Sequence, residues 1–381
     1  MKSEPGFANE KTTQDPAIPE DAAAPEGPAE IEYSLSSGIA ARMAGLKAAI
    51  AFTSYQSGIL YFFGANARGP HLHQSGMPKP MGLYFDDLGR LTLVAGAQIL
   101  RFENALEAHE RINDAFDACF VPRIIHVTGD LDAHDVGIDG NNRPIFVNTR
   151  FNCLATVSTR HSFEPVWKPS FISGLLDGDK CHLNGLAMAG GRPAYVTAVS
   201  RSDVIDGWRD RRANGGVVVD VQTGEIICEG LSMPHSPRVY REELWLLNSG
   251  TGDLGVVTRP AKGRGRFEPR VFCPGFVRGL AFHGKYAFVG LSKPRYKRFE
   301  GLELDERLRK ADAEPWCGVQ IIDLDTGGCV DWLRIDGAVG ELYDVAILPG
   351  FARPMALTPG SAEAAGLITF AAGSSAGSVA V

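Results

Sequence analysis

Beyond about residue 50 the apolar positions fall in runs of five to eight, rich in β-branched and aromatic residues, broken by Gly, Asn, Asp or Pro. "GLYFDD" with "RLTLVAG", "PIFVNT" with "CLATVS", "GLAMAG" with "AYVTAVS", "ELWLLNS" with "GDLGVVT", and "GLAFHGKYAFVGLS" all read as strand pairs. "DVAILPG" leading to "LITFAAG" extends the series to the C-terminal region. "GVVVDVQTGEIICEG" from Gly216 and "GVQIIDLDTGGCVDW" from Gly318 are nearly the same strand, tight turn and strand, a hundred residues apart. The pattern predicts an all-β fold.

Setting "KPMGLYF", "DAHDVGI", "HLNGLAM", "HSPRVYR", "FVRGLAF" and "ELYDVAI" in one register exposes six repeats that begin at Lys79, Asp132, His182, His235, Phe276 and Glu341. A period near fifty residues suits a four-stranded blade, whose small sheet buries its faces only by stacking on neighbours around a channel. Six blades is the economical reading, with seven or an open solenoid as the alternatives. A strand near Gly58 to Phe63 is expected to complete the last blade together with C-terminal strands, closing the ring and removing free edges.

Other local signals are weaker. Ser37 is a candidate cap for a short amphipathic helix. Residues 98–114 read equally as a helix or as an outer strand followed by an extended loop, and "ELDERLRKADA" as a short helix. Residues 1–30, rich in Pro, Ala and Glu, form an expected flexible tail because they offer little apolar surface to offset ordering. The rest, 31–381, is expected to be one propeller domain with blade insertions near 200–216 and 291–318.

The segments "ELWLLNSGTGDLG", "GFVRGLAFHGKYAFVGLSKPR" and "GVQIIDLDTG" resemble an uncharacterised bacterial family of conserved hypothetical proteins, some joined to tetratricopeptide repeats. The resemblance spans approximately Ala51 to Ala371 and implies no reaction. In architecture the repeats are similar to six-bladed propellers of the gluconolactonase and regucalcin type. That likeness implies sugar-lactone chemistry, although the Glu, Asn and Asp metal ligands usual there differ from the two histidines of this register.

Composition narrows the partners. The 381 residues carry a formal charge of -7, so no nucleic acid is expected, and no stretch of eighteen apolar residues suggests a membrane span. Seven scattered cysteines without a C-x-x-C pair argue against disulfide or zinc-knuckle scaffolding; with no signal-like N-terminus, the expectation is cytoplasmic. Cys119, Cys153, Cys228, Cys273, Cys317 and Cys329 read as small apolar groups buried between blades.

Inner strands converge at one channel mouth, so their first residues can meet. Asp132, His182, His235 and Glu341 make a mixed N/O set suited to zinc, manganese or iron; without metal they would form a polar sugar or peptide pocket. His134 and Arg278 are the candidate catalytic residues, one for proton transfer and one for anion binding. Lys79, Asn184, Arg238 and Tyr343 are candidate ligand contacts. An alternative for Arg238 or Arg278 is an ion pair with Asp344 or Glu341 that ties blades together. "NSGTGDLG" lacks the P-loop lysine, so no nucleotide cofactor is expected. Two functions stay open: a metal-dependent enzyme for a small anionic or sugar-like ligand, and a non-catalytic glycan, peptide or protein binder with Trp208 and Phe276 on an exposed rim. Self-association is a further expectation, through the blade insertions.

Overall fold

In the computed structural model, which describes residues 31–258, 264–293 and 300–370, six antiparallel sheets form a six-bladed propeller. The expected tail lies outside the described residues. The innermost strands, from blade 1 to blade 6, are Pro80–Phe85, Ala133–Ile138, Leu183–Ala189, Pro234–Tyr240, Phe276–His283 and Val345–Pro349. Both faces of a blade are covered by its neighbours, so strands such as Ala48–Ser54 are buried throughout and read as continuous apolar runs rather than alternating ones.

Closure of the ring uses both chain ends. Val345–Pro349 pairs with Ala48–Ser54, which continues outward through Ile59–Asn66 and Gly69–Gly76, completing blade 6 as expected. Glu32–Leu35 adds a fifth strand to blade 5, and Pro354–Ala356 runs parallel to the outer strand of blade 1. The two chain ends therefore clasp the blades on either side of the seam. "LITFAAG" is not a strand in its described part.

Local expectations resolve as follows. Gln98–Asn104 is the third strand of blade 1, inside the outer strand Ala118–Val127, and is followed by a loop, while Glu303–Lys310 is the short helix. The helix Ile39–Leu46 starts after Gly38 without a side-chain cap, so Ser37 does not cap it. The neighbouring Ser36 hydroxyl donates to Asp331 instead. Cys329 is exposed, unlike the other six cysteines, because it starts the fourth strand of blade 5 ahead of the Leu333–Asp336 stretch that Glu32–Leu35 covers. No helix among the described residues is long and apolar enough to cross a membrane.

Around the channel, adjacent inner strands join by two alternating devices. In blades 1, 3 and 5 a glycine allows close approach: a Cβ on Gly82 would lie 2.4 Å from the His134 carbonyl oxygen, one on Gly185 2.4 Å from Pro237 Cδ, and one on Gly279 2.6 Å from Val345 N. In blades 2, 4 and 6 a polar side chain accepts from the next blade's amide. Asp135 Oδ2 takes Leu186 N at 2.9 Å, Ser236 Oγ takes Gly279 N at 3.0 Å, and Asp344 Oδ2 takes Leu83 N at 2.9 Å. All six junctions are thereby closed.

Candidate functional site

Lys79, Asp132 and His182 share a left-handed backbone conformation immediately before their inner strands, with φ of 43°, 47° and 50°. In blade 4 that place belongs to Met233, φ 48°, and not to His235. His235 stands two residues further on, as the counterpart of His134. Both imidazoles address the carbonyl oxygen two residues back and the hydroxyl following a strand-end Asn: His134 Nδ1 meets Asp132 O at 2.6 Å and Thr149 Oγ1 at 2.8 Å, and His235 Nδ1 meets Met233 O at 2.8 Å and Ser249 Oγ at 3.0 Å. The expected first ring is therefore corrected in its fourth member: the residue immediately before the blade 4 strand is Met233, and His235 is the second residue of that strand.

The corrected register puts Met81, His134, Asn184, His235, Arg278 and Tyr343 at one level of the channel. The Thr149 and Ser249 hydroxyls spend their protons on the Leu183 and Val277 carbonyls. They must therefore accept from the histidines, which fixes each Nδ1 as the protonated nitrogen. Burial pushes the His134 pKa down to about 4, against the pull of Asp132, and holds His235 well below the usual range with help from the Arg278 cation. Both rings are neutral at neutral pH, with Nε2 as a lone-pair acceptor.

Above this level His182 is fixed by a residue absent from the sequence reading. Asp179 Oδ2 meets His182 Nδ1 at 2.6 Å, while Oδ1 accepts the His182 backbone N–H at 2.7 Å. The signal was the spacing D-x-x-H before a strand, an Asp poised to bond the chain and the ring together. The His182 ring lies 5.0 Å from that of His134 and stacks on Trp208 at 4.2 Å. Trp208 is buried, not exposed: its other partners are the Arg209 guanidinium at 4.6 Å and the apolar side of the helix Glu303–Lys310, through Leu304 and Leu308. The two blade insertions thus meet over the channel. Arg307 anchors that helix by donating to Thr251 O at 2.8 Å and to Asp253.

Arg278 lies between the Phe276 and Tyr343 rings, at 4.8 and 5.8 Å, and close to Glu341 and the Tyr55 hydroxyl, at 3.5 and 3.4 Å. Tyr55, also missed in the sequence, donates to Glu341. Phe276 is fully buried, which removes it from any exposed rim. Lys79, half exposed, pairs with Asp132 at 3.3 Å. Burial would raise the Asp132 carboxyl, yet His134, Lys79 and His182 together hold it below the usual range.

These groups border a cleft of about 410 Å³, lined among others by Asp132, Asp179, His182, Trp208, Arg212 and Arg278. Among the described residues no group of three or more His, Cys, Asp and Glu side chains is placed to share a metal ion. The four expected ligands surround the channel without converging, and the Glu341 carboxylate is already engaged by Tyr55 and Arg278.

Arg238 does something different from ligand contact. From blade 4 it spans the channel to Asp135 of blade 2 at 2.9 Å and Asp344 of blade 6 at 3.3 Å, and also donates to the Leu186 and Pro237 carbonyls. This is the blade-tying alternative, and it closes the channel beneath the His134 level. Burial, reinforced by Asp135 and opposed by Arg238, pushes the Asp344 carboxyl up to about 7.

A six-bladed propeller with a polar, blind-ended channel site defines the class of this protein. The chain belongs to the family described as Domain of unknown function (DUF4915), whose model matches residues 37–357. Comparison with curated proteins gives no match. Among solved structures, the nidogen/laminin complex is similar at 12% identity, covering 80% of this chain and 99% of that one with a TM-score of 0.48. A gluconolactonase from Xanthomonas campestris is similar at 11% identity, covering 78% and 87% with a TM-score of 0.46. Virginiamycin B lyase from Staphylococcus aureus is similar at 10% identity, covering 80% and 99% with a TM-score of 0.40.

Proposed function

We propose that the protein is an enzyme of acid–base chemistry acting on a small anionic or sugar-like substrate in the channel-mouth cleft. His182 moves the proton, Asp179 is the positioning residue behind it, and Arg278 receives the anionic group. The observation that carries this reading is the Asp179–His182 pair: one carboxylate holds both the backbone and Nδ1 of His182, so that Nε2 is the ring nitrogen left for a ligand beside the cleft. A carboxylate on Nδ1 sets the tautomer and stabilises the imidazolium that forms on proton transfer. The binding-propeller alternative drew on an exposed Trp208 and Phe276, and both are buried.

The test is turnover of a panel of lactones, esters and hydroxy acids by wild type, His182→Ala and Asp179→Asn. Loss of a general base or acid costs roughly 10²–10⁴-fold in kcat. Asp179→Asn is expected to lower kcat more than it changes KM, because the ring loses the carboxylate that sets its tautomer and orientation. Full activity in His182→Ala would sink the proposal.

A further inference from the structure

Asn184 occupies the channel level between His134 and His235 and is only 3% exposed. Its Oδ1 accepts from the Thr197 hydroxyl at 2.7 Å. Among the described residues its Nδ2 has no hydrogen-bond acceptor. A buried donor without an acceptor is costly and rare. On either side, the His134 and His235 Nδ1 atoms are committed to oxygen acceptors, so each ring keeps Nε2 as its lone-pair acceptor. One buried donor, unpaired among the described residues, thus stands between two imidazoles that can accept. A hydroxyl group, which accepts one hydrogen bond and donates one, is the chemical complement of that set. The next residue around the ring is Arg278, which lines the cleft and, beside its 3.5 Å contact with Glu341, brings a cation to the site.

We infer that Asn184, His134 and His235 form a hydroxyl-binding subsite in the channel and that the ligand of this site is a small hydroxy carboxylate. Arg278 takes its carboxylate and Asn184 selects for its hydroxyl. The inference rests on the proposed anion-binding role of Arg278.

The experiment is calorimetric titration of the whole chain with lactate, glycerate and propionate, for wild type, Asn184→Leu and Arg278→Met. Lactate and glycerate are expected to bind at least about tenfold more tightly than propionate, since the analogue without a hydroxyl leaves the Asn184 donor unpaired. Asn184→Leu should erase that difference while keeping the propionate affinity. If Asn184→Leu fails to fold, the wild-type comparison alone decides. Equal wild-type affinities for lactate and propionate, both lost in Arg278→Met, would overturn the hydroxyl subsite and leave the anion site standing. Absence of binding by all three acids, or binding unchanged in Arg278→Met, would overturn the anion site and this inference with it.

Discussion

Replacing Arg238 with Met tests the view that the channel is closed by a tie rather than by a ligand contact. The guanidinium bonds two carboxylates that are 5% and 3% exposed, so its removal strands two like charges in a nearly dry site. Breaking a buried pair by deleting one partner typically costs about 3–5 kcal/mol. Here the cost should depend on pH. The Asp344 carboxyl is already raised to about 7 with the arginine present, so without it the native state would hold the proton to still higher pH. Between the unfolded carboxylate pKa near 4 and the folded value, the native state binds the extra proton, and stability falls as pH rises. Urea unfolding followed by tryptophan fluorescence should therefore give a loss of about 3–5 kcal/mol for Arg238→Met at pH 8 and a clearly smaller loss at pH 5.5. Adding Asp135→Asn and Asp344→Asn to Arg238→Met should recover more than half of the pH 8 loss, because no charge is then left unpaired. A loss below about 1 kcal/mol at pH 8, the range of an exposed pair, or an equal loss at both pH values would refute the reasoning.

Asp344→Asn in the otherwise native chain should flatten the decline of wild-type stability between about pH 5 and 8, read as urea midpoints across that range. Gly279→Ala should cost about 2–4 kcal/mol, since φ is +80° and the new Cβ would sit 2.6 Å from Val345 N; Gly284→Ala, also left-handed but with open space, should cost only about 1 kcal/mol in the same denaturant assay. Arg307→Ala should raise hydrogen exchange across Glu303–Lys310, because the helix loses its bonds to Thr251 and Asp253. Elemental mass spectrometry on untagged protein is expected to show no stoichiometric zinc, manganese or iron. A near-stoichiometric metal lost in His182→Ala/His235→Ala would restore the ligand set expected from the sequence.

The six inner strands were legible because each recurs, about fifty residues apart, as a short polar-then-apolar segment followed by an apolar partner strand. The one error of register came from aligning histidines with histidines in "HSPRVYR". What defines the position is backbone conformation, the left-handed residue before the strand, and in blade 4 that residue is Met233, which carries no polar signal. Asp179 and Tyr55 were missed for another reason. They precede or follow strands in connections whose path is set by the fold, so only a folded chain brings Tyr55 to Glu341 across 286 positions. Trp208 was misjudged because its charged neighbours suggest solvent, whereas the partner that buries it, the helix Glu303–Lys310, belongs to a different blade.

The polar level at His134 and the ionic level at Arg238 place opposite demands on the same six strands. At the Arg238 level, guanidinium, carboxylates, amides and carbonyls are matched, so that layer ties blades 2, 4 and 6 to one another and leaves little for a ligand to gain. At the His134 level the hydrogen bonds within the protein end on Nδ1 of each histidine and Oδ1 of Asn184, and among the described residues the Asn184 Nδ2 has no partner. A scaffold closed by six interlocking junctions can hold such unmatched groups without collapsing onto them. The ionic layer is therefore the reason the polar layer above it can stay open to chemistry: mutations at Arg238 should act first on stability, and mutations at Asn184 or His182 first on ligand binding and turnover.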